Sequence, residues 1–184
     1  RAIRGMNGGW IQVAGPISRL SQFKLIETTM FNSAMQQVRY PPTRIAYAPA
    51  LAMARMFTLP GSTYVDPDFS WKYETAPSGT AFVRGTALGP EYDGTMWIGS
   101  ARSFEQVGGT GGSLYRFRLT SDRLRLDLSA DPRLADRVAD NTEKYGPLES
   151  ETLLIGRGFG TATDIVQSPD GTLYVVAISD QRIY

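Results

Sequence analysis

The sequence predicts an all-β fold assembled from a repeated antiparallel unit, and three observations carry that prediction. First, the stretch from Gly160 to Tyr184 reads as strand, Asp-Gly turn, strand, turn and strand. Second, an earlier stretch keeps the same rhythm. It begins at Gly79 with TAFVRG, passes a connection containing Pro90, turns at Asp93-Gly94-Thr95 into MWIGSA, and resumes as SLYRFRL from Ser113. Third, Asp93-Gly94-Thr95 matches Asp170-Gly171-Thr172, and each turn sets a residue tolerant of positive φ beside a glycine, the chemistry of a hairpin between twisted strands. A unit of this size cannot bury its own faces alone, so its copies must pack around a common axis. The expected fold class is therefore all-β, a partial β-propeller of about two to three four-stranded blades with a partly helical insertion, and residues 1–184 are expected to form part of a single propeller domain.

The elements follow in order. Residues 1–15 hold a glycine-rich turn from Gly5 to Gly9, then Trp10 and an alternating Ile11-Gln12-Val13, the end of one unit. From Pro16 to about Pro67 the strand rhythm disappears. Leu20, Phe23, Leu25, Ile26 and Met30 fall near helical spacing, as do Leu51, Ala54, Arg55 and Phe57, and Pro41-Pro42 enforces an extended break between the two patches. Residues 16–67 therefore read as an inserted, partly helical segment. Its Met53 and Met56 suit either a docking surface or the cover of the segment's own core. The first blade-like unit runs from about Phe69 to Leu128. A polar connection from Asp127 to Pro147, broken at Asp131-Pro132, leads to the second unit near Glu151, where ETLLIGRGFG alternates weakly before a glycine-rich corner.

Composition narrows the chemistry. Nineteen basic and 18 acidic residues give a formal charge of +1 and are scattered, which offers no broad electrostatic footprint for nucleic acid or an anionic membrane. There is no Cys and no His. Disulfides, thiolate metal sites, a cysteine nucleophile and the commonest general base are absent from these residues. No apolar run reaches the length of a membrane span. A complete propeller of four-stranded blades usually needs more residues than this chain supplies. The sequence also opens on Arg1-Ala2-Ile3 and stops at Tyr184 within an apolar strand pattern, so it is expected to be a portion of a longer protein.

The order of several short motifs carries a resemblance. Gly5-Met6-Asn7-Gly8-Gly9-Trp10, Asp68-Phe69-Ser70-Trp71-Lys72, Leu88-Gly89-Pro90-Glu91-Tyr92, Leu114-Tyr115-Arg116-Phe117 and the closing Thr163-Asp164-Ile165 to Tyr184 resemble the soluble glucose/sorbosone dehydrogenase family. That family consists of six-bladed propellers, many of which oxidise sugars with pyrroloquinoline quinone (PQQ) and calcium. The resemblance implies the C-terminal part of such a propeller, a small-molecule sugar as partner, an electron acceptor of unstated kind, and a periplasmic or extracellular location. It also implies that the catalytic His and the calcium and quinone loop precede Arg1, so these 184 residues alone are not expected to carry out the reaction. No catalytic residue and no metal ligand is assigned within them.

The family's working parts transfer residue by residue. Trp71 matches an aromatic position that lines the sugar and quinone cleft, and a core or inter-blade tryptophan is the other reading. Arg102 stands where quinone-binding members carry a Lys that contacts the quinone oxygens. Arg keeps the charge without the compact ammonium, and a solvated arginine at a loop start is the alternative. Thr161-Ala162-Thr163-Asp164 stands where the family has Arg-x-Arg-Asp, whose guanidiniums hold the cofactor's carboxylates. Thr161 and Thr163 can donate hydrogen bonds but cannot reproduce charge-assisted bidentate pairing. Asp164 keeps its identity and serves either the cofactor or its own strand start.

Three functions follow. The first is a sugar-oxidising quinoprotein in which a base removes a hydroxyl proton while hydride passes to PQQ. The second is a propeller that has lost the quinone site and binds carbohydrate or protein without catalysis. The third, a lactonase-type hydrolase, needs carboxylates converging on a central calcium, for which Asp66, Asp68, Asp164 and Asp170 are available.

Overall fold

The computed structural model describes residues 5–8, 16, 50, 53–54, 58–71, 75–101, 112–140 and 149–184. The chain divides into two compact units, Arg1–Tyr73 and Glu74–Tyr184. The described residues are mostly strands and turns, in keeping with the all-β expectation.

In the first unit, β1 (Met6–Asn7) pairs in parallel with β2 (Thr63–Tyr64), Met6 opposite Thr63 and Asn7 opposite Tyr64. Gly5 makes the pairing possible: its φ is +75, and a Cβ there would lie 2.8 Å from the carbonyl oxygen of Gly61. β2 falls inside the stretch read as an insertion, because two residues are too few to register as alternation. Ala50, Met53 and Ala54 of that stretch are helical. The other residues of the expected helical patches, Met56 among them, lie outside the described residues. β3 (Ser70–Trp71) completes this unit's strands, with both residues buried.

The second unit contains two antiparallel sheets. The first runs in the order β4 (Pro77–Phe82), β5 (Met96–Ser100), β6 (Leu114–Leu119) and β7 (Leu126–Asp127). After β8 (Val138–Ala139), β9 (Leu154–Gly156) pairs with the start of β6, while β7 pairs with its end. The second sheet runs β10 (Ala162–Gln167), β11 (Leu173–Ala177) and β12 (Arg182–Ile183).

The two sheets share one register over their first two strands and the start of the third. Pro77, Thr80, Ala81 and Phe82 pair with Ser100, Ile98, Trp97 and Met96. At the equivalent places Ala162, Ile165, Val166 and Gln167 pair with Ala177, Val175, Tyr174 and Leu173. Each ladder shifts register near its beginning, between Pro77 and Thr80 in one and between Ala162 and Asp164 in the other. Backbone bonds repeat as well. Val83 N–H donates to Thr95 as Ser168 N–H does to Thr172, both at 2.9 Å, and Ala101 N–H donates to Ala76 at 3.0 Å as Ile178 N–H does to Thr161 at 3.1 Å. Even a side chain repeats: Ser78 Oγ reaches the carbonyl of Gly99 at 3.5 Å and Thr163 Oγ1 that of Val176 at 3.3 Å. On the third strand, Leu114-Tyr115 corresponds to Ile183-Tyr184.

The Asp-Gly pairs that announce this repeat are not alike. Ser168 to Thr172 closes a tight hairpin, with Gly171 N–H donating to Ser168 at 2.9 Å and Gly171 at φ +93, a turn followed by a left-handed residue. Asp93-Gly94 instead ends a longer loop containing a short turn of 3-10 helix at Pro90–Tyr92. The strand register survives because Gly94 N–H still donates to Val83 at 2.9 Å.

β10 lies against the first sheet and runs in the same direction as β4. Ser78 Oγ donates to the carbonyl of Ala162, and farther along Arg84 N–H donates to Gln167 Oε1 at 2.8 Å while Gln167 Nε2 returns a bond to the Arg84 carbonyl at 3.0 Å. Two glycines allow this approach. A Cβ at Gly79 would stand 2.8 Å from the Asp164 backbone, and one at Gly99 would stand 2.6 Å from the Ala162 Cβ. Between the sheets Leu114, Ala162, Ile165 and Val175 are buried, with Ala81, Trp97, Phe159 and Leu173 packed around them. Each such large side chain contributes on the order of 1.5–3 kcal/mol when fully buried.

The polar connection between the sheets is anchored by Asp131, which is buried. Its carboxylate accepts from Arg133 N–H at 3.1 Å, Nε at 3.0 Å and Nη2 at 2.8 Å, and from Thr152 Oγ1 at 2.8 Å. Chiefly the Arg133 guanidinium, and then the Thr152 hydroxyl, hold this carboxyl well below the usual carboxylate range.

Candidate functional site

The start of β10 gathers three of the residues singled out in the sequence. Thr161 sits just before the strand, and its N–H donates to Ser179 Oγ at 2.7 Å. Its hydroxyl oxygen is buried and has no hydrogen-bond partner. Thr163 occupies the register shift, is exposed, and donates its hydroxyl to the Val176 carbonyl. Asp164 is exposed opposite Val176, and its Oδ1 accepts from Ile165 N–H at 2.9 Å.

Beside these residues lies a groove of about 350 Å³ bordered by Thr163, Val176, Ile178, Gln181, Arg182 and Ile183. The short connection from β11 to β12 builds one side of it. Gln181 N–H donates to the Ile178 carbonyl at 3.3 Å, and Gln181 takes φ +52, a left-handed conformation uncommon outside glycine. That conformation ends the turn and lets Arg182 enter β12 immediately. The groove thus combines a hydroxyl, an amide and a guanidinium with the aliphatic Val176, Ile178 and Ile183, and the Asp164 carboxylate lies on the strand alongside. Donors, an acceptor and apolar surface in one shallow depression suit a small polyhydroxylated ligand.

The groove exists where the repeat is broken. Asp164 and Val176 occupy the places that Gly79 and Gly99 occupy in the first sheet. There the glycines let a neighbouring sheet close down on the backbone; here two side chains hold the surface open.

Trp71 is buried in the first unit and meets the ring of Phe69 edge to face, with centroids 4.9 Å apart at 84°. Arg102 lies outside the described residues. Among the described residues no three of His, Cys, Asp and Glu gather as a metal-holding group. Asp170 belongs to the hairpin corner, where the Ser168 hydroxyl and then the Thr172 N–H hold its carboxyl below the usual range.

The clamp for the carboxylates of PQQ does not fit these side chains. Thr161 turns a neutral, buried hydroxyl inward, and the Thr163 hydroxyl is engaged with a backbone carbonyl. Neither provides the charge-assisted forked bonds that hold a cofactor by its carboxylates.

Gln181 and Arg182 were not anticipated from the sequence. No protein-family model matches the chain, and neither a curated protein nor a solved structure matches it.

Proposed function

We propose that this chain forms two adjoining blades of a β-propeller and binds a neutral sugar in the groove at the start of β10. The observation that carries the reading is the departure from the repeat. Two sheets share their register and lie with first strands side by side in one direction, the relation of neighbouring blades about an axis, and the second differs from the first by placing Asp164 and Val176 where glycines stand. Asp164 would accept from sugar hydroxyls, Gln181 and Arg182 would donate to them, and Ile178 and Ile183 would meet the C–H faces.

A sugar is also the substrate class implied by the resemblance to the glucose/sorbosone dehydrogenases. In that family the oxidation needs PQQ, calcium and a base. Here the neutral wall at Thr161 and Thr163 favours a binding module over a quinoprotein, and no step through the quinone is derived. The test is equilibrium binding of the chain to a panel of aldoses, and separately to PQQ with calcium. The proposal expects saturable binding of at least one aldose, weakened tenfold or more by Asp164→Ala combined with Arg182→Ala, and no tight quinone binding. Tight quinone binding would restore the dehydrogenase reading; silence with every sugar would remove the sugar site.

A further inference from the structure

We infer that the pocket between the end of β6 and the connection after β7 binds a small zwitterionic α-amino acid, taking its carboxylate on Arg116 and Arg118 and its ammonium on Asp127. The inference is independent of the groove at β10, with which the pocket shares no residue. Alternation along β6 builds the cationic side. Tyr115 and Phe117 occupy one face of the strand and are fully buried, so Arg116 and Arg118 share the other. Both arginines border a cavity of about 130 Å³ whose apolar lining includes Leu128, Leu134 and Leu153.

The charges around this cavity are held apart. Arg116 lies over the ring of Tyr92, 4.8 Å from its centroid, a contact that steadies the guanidinium and leaves its N–H donors for another partner. Arg118 stands directly opposite Asp127 across the β6–β7 ladder, an arrangement that favours a cross-strand ion pair. None forms: among the described residues neither Arg116 nor Arg118 is paired with a carboxylate. Asp127 instead turns Oδ1 to its own loop, accepting from Ser129 N–H at 3.0 Å and Ser129 Oγ at 2.6 Å. The Ser129 hydroxyl, then its N–H, and to a smaller degree the charge of Arg118 hold this carboxyl below the usual range. Asp131, also at the cavity wall, differs because both its oxygens are bonded, to Arg133 and Thr152.

Two guanidiniums and one carboxylate kept apart across a small cavity suit a molecule that carries both signs. The forked donors of an arginine match a carboxylate in its plane, an ionised carboxylate accepts from an ammonium, and the leucines receive an aliphatic side chain. Size limits the occupant. Roughly 10–15 Å³ admits a single water, whereas drug-sized ligands fill roughly 300–1,000 Å³, so the occupant has few heavy atoms. Glycine and alanine meet these conditions. An inorganic oxyanion would set like charge against Asp127, and a simple amine would leave both arginines unmatched.

Isothermal titration calorimetry of the chain with L-alanine, glycine, acetate and methylammonium, at one ionic strength, tests this. L-Alanine should bind saturably and at least tenfold more tightly than acetate or methylammonium. Arg118→Met keeps the aliphatic stem and removes the charge, and should weaken L-alanine and acetate together, at least fivefold. Asp127→Asn keeps an oxygen for Ser129 and should weaken L-alanine tenfold or more while acetate binds as before or more tightly, a divergence that lost packing would not produce. Arg116→Gln and Asp127→Ser serve the same purpose where circular dichroism shows that either of the first pair has lost its fold. Three results would overturn the inference: no saturable binding of either amino acid, acetate or methylammonium bound as tightly as L-alanine, or binding indifferent to the substitutions.

Discussion

The two sheets of the second unit share a register, a shift in that register and several matching hydrogen bonds, yet equivalent residues live in different surroundings. Leu114 is buried between the sheets while Ile183, at the same position one sheet later, is exposed. Trp97 packs against the core and donates its Nε1–H to Thr95 Oγ1 at 3.1 Å, whereas Tyr174 lies open. Gly99 lets a strand approach, and Val176 holds a groove apart. The difference teaches that the ladder is specified locally, by alternation and turn chemistry, and that each face is specified by what must lie against it. A position that keeps the backbone pattern but changes its side chain from glycine to something larger marks where packing gave way to another task.

The sharpest way to break this comparison is to truncate equivalent residues. Leu114→Ala should destabilise the chain by roughly 2–5 kcal/mol, the usual range for a buried leucine, while Ile183→Ala should stay within about 0.5 kcal/mol. Urea unfolding of the two variants measures both. Equal losses would mean that the second sheet's face is covered and that the two positions are not different in kind.

A smaller effect is expected from adding a single carbon. Gly99→Ala places a methyl group 2.6 Å from the Ala162 Cβ, an overpacking that should cost about 1–3 kcal/mol. Trimming the equivalent Val176 to Ala should cost less than about 1 kcal/mol. Thermal unfolding distinguishes the pair, and a tolerated Gly99→Ala would show that the sheets do not approach as closely as the backbone positions require.

The smallest effect concerns the connection that holds the sheets in sequence. Asp131 has a folded-state pKa depressed by Arg133 and Thr152. A depressed carboxyl stabilises the fold above its unfolded value and loses that contribution as the pH falls. The contribution is therefore complete above about pH 5 and shrinks below it, as the unfolded chain takes up the proton first. Asp131→Asn should flatten the acid limb of the stability curve below that pH and leave the neutral-to-basic limb parallel to the wild type.

Much of the fold was legible because its signals are local. Asp93-Gly94-Thr95 and Asp170-Gly171-Thr172 announced the repeat, and the alternation in MWIGS and LYVVA placed β5 and β11. The loop of different length that precedes each Asp-Gly pair was hidden, since Gly94 and Gly171 take similar positive φ in unlike settings. β2 was hidden for a different reason: its partner β1 is far away in sequence, and two residues carry no period.

The candidate site was legible only in part. Thr161, Thr163 and Asp164 could be picked out as neighbours along one strand, but their roles depend on which face each occupies, and the register shift at Thr163 rotates that assignment. The alignment of Pro77-Ser78-Gly79-Thr80 with Ala162-Thr163-Asp164-Ile165 follows from the strand registers and identifies Thr163 as the counterpart of Ser78. Gln181 and Arg182 could not be found by spacing, because the turn that brings them to the groove depends on a left-handed residue that is not glycine.

The most direct test of the account is an amide-resolved NMR titration of the chain with the aldose that binds best. The account predicts that chemical-shift changes concentrate at Thr163, Asp164, Val176, Gln181 and Arg182 and leave Ser78, Gly79 and Gly99 unmoved. Changes spread equally over both sheets, or centred on the first, would contradict the claim that the working surface arose where the second copy departs from the first.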